Sequence, residues 1–84
     1  LGKTEIELKD VNLLTDIKDL DQKVYVKVRS TGSLLEAKVN LERNNNAKVN
    51  LIIPEDGISP GQACVFYSKD QFGHKLLGGG WIKE

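Results

Sequence analysis

The chain has one cysteine among its 84 residues, so no internal disulfide can staple it, and a small domain without bridges suits the reducing cytoplasm. It also has one histidine. With no histidines or cysteines at zinc-ligand spacing, carboxylates would have to supply nearly every ligand of a metal site, and none is expected. No apolar run approaches the roughly 20 residues that span a bilayer. Lys3, Glu5, Glu7, Lys9 and Asp10 interrupt the amino-terminal stretch, so neither a signal peptide nor membrane attachment is expected and a cytoplasmic location is. Catalytic constellations are missing too. Cys64, between Ala63 and Val65, has no base beside it and reads as a small buried hydrophobe. His74 reads as an exposed turn residue, and no third group orients a Cys-His pair. The run Gly78-Gly79-Gly80 lacks the Lys-Ser or Lys-Thr of a phosphate loop and a following helix. Glu5, Glu7, Asp16, Asp19 and Asp21 are scattered solubilising charges, not a catalytic pair.

What is present is the composition of one soluble globular domain spanning 1–84, with 39% hydrophobic and 29% charged residues. A chain this short buries roughly 60% of its unfolded surface or slightly more, which leaves little margin. Twelve basic residues balance twelve acidic ones, but unevenly: residues 1–22 carry net −3, residues 23–50 net +4 and residues 51–84 net −1. Any polyanion should therefore meet the middle strands, although charge alone also fits an ordinary solvated sheet face.

Alternation of apolar and polar residues predicts strands over most of the length. Thr4 to Leu8 alternates, Asp10 to Leu14 continues inward, and Thr15 to Gln22 is a loop with room for one helical turn. From Lys23 to Ser30 the valines Val24, Val26 and Val28 should face a core while Tyr25, Lys27 and Arg29 face out. After a turn at Thr31-Gly32-Ser33, Leu35, Ala37, Val39 and Leu41 answer them, with Lys38 outward. Asn44-Asn45-Asn46 is a turn that uses the left-handed tolerance of asparagine. Ala47, Val49, Leu51 and Ile53 form another inward set, which Pro54 should end by lacking an amide hydrogen.

The last third holds the most distinctive pattern, Ile58-Ser59-Pro60-Gly61-Gln62-Ala63-Cys64-Val65-Phe66-Tyr67 and then Leu77-Gly78-Gly79-Gly80-Trp81-Ile82. Pro60-Gly61 suits the centre of a type II turn, so a strand should start at Gln62. Ser68 to His74 is expected as a loop, and Lys75 to Lys83 as a final strand bent by its glycines where the backbone turns a corner. The two strands should pair as a hairpin. Six short strands and no substantial helix predict an all-β fold, a small six-stranded antiparallel barrel, which also removes the exposed edges of an open sheet.

The order S-P-G-Q-x-x-V-F-Y, turn, L-G-G-G-x-I, together with Val28-Arg29 and Asp10-Val11-Asn12, resembles the carboxyl-terminal domain of the tRNA-specific 2-thiouridylases. The resemblance implies a six-stranded barrel like those of translation factors, at the carboxyl end of a larger multidomain transferase. That parent would 2-thiolate the wobble uridine of tRNA using ATP and a persulfide sulfur. The ATP loop and the two catalytic cysteines of such enzymes belong to an amino-terminal domain, so this chain alone should be inactive, with no catalytic residue or cofactor of its own. Its expected partners are tRNA, the other domains of the parent and, through them, a sulfur-donor protein. By the resemblance, Arg29 stands where an arginine contacts tRNA, Ser30 follows where relatives often have an aromatic residue, and Gln62 is the glutamine of the P-G-Q turn. Lys27 and Lys38 are added from charge alone. The alternative is a docking barrel that makes no RNA contact.

Overall fold

The computed structural model describes residues 2–29 and 32–84. Six strands, β1 (Lys3–Leu13), β2 (Val24–Lys27), β3 (Leu35–Leu41), β4 (Ala47–Glu55), β5 (Ala63–Asp70) and β6 (Gly73–Ile82), close into a barrel in the order β1-β4-β3-β2-β5-β6. Every pairing is antiparallel. Among the described residues the helical pieces are two 3-10 turns, Ile17–Asp21 and Arg43–Asn45. The expected all-β barrel is the fold observed.

The core follows from the alternation. Val24, Val26 and Val28 are buried, as are Ala37 and Val39 opposite them and Val49 and Leu51 beyond. Phe66, Leu8 and Leu77 are the largest wholly buried side chains. Each such Leu or Phe removed from water contributes about 1.5–3 kcal/mol, which a small barrel must draw from many strands at once. Leu20, in the first 3-10 turn, also reaches the core, while Ile17 on the same turn stays exposed.

The turns match their chemistry. Gln62 N–H donates to the Ser59 carbonyl at 3.3 Å, and Gly61 has φ +85°, as a type II turn requires. Asn44 and Asn45 both take left-handed dihedrals, φ 60° and 59°.

Four expectations are corrected. Pro54 does not end β4, which runs on to Glu55: the β1–β4 register jumps from Glu5↔Asn50 to Lys3↔Glu55, and Pro54 sits in that bulge, where no ladder amide is needed. The same bulge turns Ile53 outward, 75% exposed, instead of inward. Leu14, expected inward, lies just beyond the end of β1 and is exposed. Ser68 to His74 is not a loop, because β5 and β6 pair down to Asp70↔Gly73, and Phe72 N–H donates to Asp70 Oδ1 at 2.7 Å to close a tight hairpin. The turn residue Thr31 lies outside the described residues.

The glycine run bends but does not interrupt β6. Register shifts between Phe66 and Tyr67 on one side and between Lys9 and Asn12 on the other bracket it. A Cβ on Gly79 would lie 2.6 Å from the Cys64 carbonyl oxygen, and one on Gly80 would lie 2.8 Å from Val11 Cγ2. The backbones therefore approach as closely as the sequence implied.

Candidate functional site

Strand parity decides what lies on the outer wall. With Cys64 and Phe66 inward on β5, Ala63, Val65 and Tyr67 point away from the core. On β2 the same rule turns Tyr25 and Lys27 outward. The registers Lys27↔Val65, Tyr25↔Tyr67 and Ala63↔Trp81 bring these side chains into one surface across β2, β5 and β6. A groove of about 490 Å³ runs along it.

Lys27 and Arg29 supply the cations of this groove, Tyr67 and Trp81 the aromatic rings, and Ala63 and Val65 a small apolar floor. Gly61 and Gln62 of the type II turn close one end. Among the described residues no carboxylate lines it. Three residues singled out in the sequence, Lys27, Arg29 and Gln62, thus meet in one groove, although Gln62 is far from the other two in the chain. Lys38 does not line it: it lies on β3 opposite Asn50 of β4. Ser30 lies outside the described residues.

Arg29 is held but not buried. Its Nη2 is 3.3 Å from Glu55 Oε2, and its side chain is 46% exposed. The guanidinium also lies against Gly57, where an added Cβ would come within 3.2 Å of Nη1. The bulged end of β4 and the loop after it therefore steer the arginine. Gln62 is anchored through its backbone: its carbonyl accepts from Ile82 N–H at 2.8 Å, and Gly61 N–H donates to the Ile82 carbonyl at 2.9 Å. Its side-chain Oε1 is buried without a hydrogen-bond partner. The surface continues past the groove, with Lys69 Nζ 4.7 Å from the Tyr25 ring centre and His74 edge-on to Tyr67 at 6.4 Å.

Tyr67, Trp81, Glu55 and Gly57 carry no charge pattern or motif role in the sequence that marks them as site residues. Parity on β5 would have found Tyr67. Trp81 needed the hairpin register, which the β6 bulge conceals. Cys64 is wholly buried, and desolvation pushes its thiol up from 9.0 to about 12. Among the described residues no group of three or more His, Cys, Asp or Glu side chains is arranged to hold a metal ion, and no helix is long and apolar enough to cross a membrane.

The family described as the aminomethyltransferase beta-barrel domain matches residues 3–82. This chain belongs to that family. Similar proteins include the tRNA-specific 2-thiouridylases MnmA of Ruegeria pomeroyi, 42% identical over 85 residues covering 98% of this chain and 22% of the relative. That of Maricaulis maris is 47% identical over 78 residues, covering 92% and 19% respectively. That of Rhodospirillum centenum is 40% identical over 82 residues, covering 98% and 20%. The chain spans about a fifth of the length of these relatives. The resemblance to the carboxyl-terminal domain of the thiouridylases is borne out. The two segments that carry it in this family member, Ser59 to Tyr67 and Leu77 to Ile82, are those that build the turn, floor and aromatic side of the groove.

Proposed function

We propose that residues 1–84 form a single tRNA-positioning domain of a tRNA-specific 2-thiouridylase. It holds RNA while other domains, using ATP and a donor-supplied persulfide sulfur, thiolate the wobble uridine. By itself it is non-catalytic. The observation that carries this reading is the groove in which Lys27, Arg29 and Gln62 converge with no acidic side chain among the described lining residues. Cations on a rigid wall fix the register of a sugar-phosphate backbone without reading sequence.

Arg29 and Glu55 provide the test. In the full-length enzyme Arg29→Ala should weaken tRNA binding and flatten the dependence of log K on log salt by roughly 0.7–0.9, the share of one phosphate contact. Glu55→Gln should act the other way, since it frees the guanidinium from its 3.3 Å ion pair. An exposed pair of this kind is worth about 0–1 kcal/mol, so the gain in affinity is at most several-fold. Filter binding over a salt series measures both, and an unchanged slope in Arg29→Ala removes Arg29 from the interface.

A second reading, docking of another domain, is favoured by a different observation. A second groove of about 280 Å³ on the far side of Trp81 is edged by Leu14, Leu76 and Trp81, all exposed. The second groove shares Ala63, Val65 and Trp81 with the first, so a domain docked there would border the RNA-facing groove.

A further inference from the structure

We infer that the β2–β5–β6 groove receives an unstacked RNA base, laid on the indole of Trp81, and not the outside of a duplex; this rests on the RNA-positioning reading and names the form of RNA it accepts. The middle of the groove is the wrong surface for phosphate. Ala63, Val65, Tyr67 and Trp81 line it, and the cations stand to one side on β2 and just beyond its end. Double-stranded RNA offers phosphates and 2′-hydroxyls at its surface and hides the faces of its bases, whereas an unpaired nucleotide offers a flat π face with its phosphate a few ångströms away. A lining that combines apolar and aromatic side chains with flanking cations suits the second.

Four details support it. Trp81 is 49% exposed at the edge of a closed barrel, where an apolar ring of its size gains by being covered. Its cross-strand neighbour on β5 is Ala63, and Val65 faces Gly79, so the wall on that side of the indole is low and a ring can approach closely, while on the β1 side the partner is Lys9. At the end of the groove Gln62 Oε1 is an acceptor without a donor, and a base amino group or a ribose 2′-hydroxyl has the chemistry to supply one once the amide swings toward it. A volume of about 490 Å³ lies within the range of sites that take small ligands.

Trp81 is the only tryptophan of the chain, so its fluorescence reports the contact directly. The chain is titrated at low ionic strength with short uridine and adenosine oligoribonucleotides, their deoxy counterparts and a blunt RNA duplex. Single strands should quench the indole and the duplex should not. Anisotropy of labelled oligonucleotide should show Trp81→Ala weakening single-strand binding by roughly ten- to a hundredfold while Trp81→Phe retains most of it. Gln62→Leu should narrow any preference for ribose over deoxyribose if the hydroxyl is the donor, and for adenosine over uridine if the amino group is. Binding that responds to Arg29→Ala but leaves the indole unquenched and is indifferent to Trp81→Ala overturns base stacking and leaves the backbone-positioning reading standing. Absence of any Arg29-dependent binding, to single strand or duplex, overturns both.

Discussion

Cys64 shows how one residue's environment decides its chemistry. It lies on the inner side of β5, with its carbonyl oxygen close against Gly79, and burial pushes its thiol from 9.0 to about 12. The thiolate fraction near neutrality is therefore negligible, and alkylating reagents should modify the residue only through unfolding. The linkage has a definite sign. The folded thiol holds its proton more tightly than the unfolded one, so the unfolded state loses protons first as pH rises, and stability falls between about 9 and about 12. Cys64→Ala should destabilise the chain at neutral pH by leaving a small cavity. The gap between wild type and Cys64→Ala, measured by urea titration, should stay constant below about pH 9 and narrow above it. A gap that is flat throughout the alkaline range would mean that the thiol is solvated in the native state.

At the scale of elements, β6 is the strand whose sequence explains the barrel. Gly78 has φ +147°, and a Cβ there would fall inside the radius of the Asn12 carbonyl oxygen and 3.0 Å from Leu13 Cα. Both obstacles are backbone, which cannot rotate aside. Gly78→Ala should therefore cost about 2–4 kcal/mol, combining overpacking with a strained dihedral, a large share of the stability of so small a domain. Urea unfolding should show a lower midpoint with an unchanged slope, and amide exchange should accelerate first along β1 and β6. Unaltered stability would imply that β1 and β6 stand further apart than described.

The elements that were legible in the sequence are those whose alternation is unbroken. The valines of β2 and the Leu35, Ala37, Val39, Leu41 series declare their faces because both strands keep period two from end to end. Where a bulge adds a residue, the period shifts and the reading fails. Counting on from Leu51 puts Ile53 inward, but the β1–β4 register slips at that point and turns it to solvent. From Ser68 the β5–β6 hairpin has the composition of a loop, because Lys69, Asp70 and Gln71 are polar. Polar residues on the solvent face of a hairpin look the same as a loop until their partners are known. The candidate site was half legible for the same reason. Arg29, Lys27 and Gln62 carry charge or motif signals of their own, whereas Trp81 joins them through a cross-strand register that no local pattern encodes.

For the whole molecule, neutrality hides an uneven wall. The basic excess of residues 23–50 is not gathered on one face once the barrel closes. Lys23 is 3.8 Å from Glu36, Lys38 and Lys48 stand opposite Asn50 and Asn40 on the β3–β4 side, and Lys27 and Arg29 line the groove. A polyanion seated on β2, β5 and β6 would then feel Lys27 directly and Lys38 only through the screened field, which fades over roughly 8–10 Å near physiological salt. Lys27→Ala should accordingly lower the salt slope of tRNA binding in the full-length enzyme by about 0.7–0.9, while Lys38→Ala should leave the slope unchanged and shift affinity slightly. Both lysines are outward and neither supports the core, so folding does not confound the comparison. Equal losses from the two substitutions would place the RNA across β2 and β3, away from the aromatic side of the groove, and a loss confined to Lys38 would put it on the β3–β4 wall.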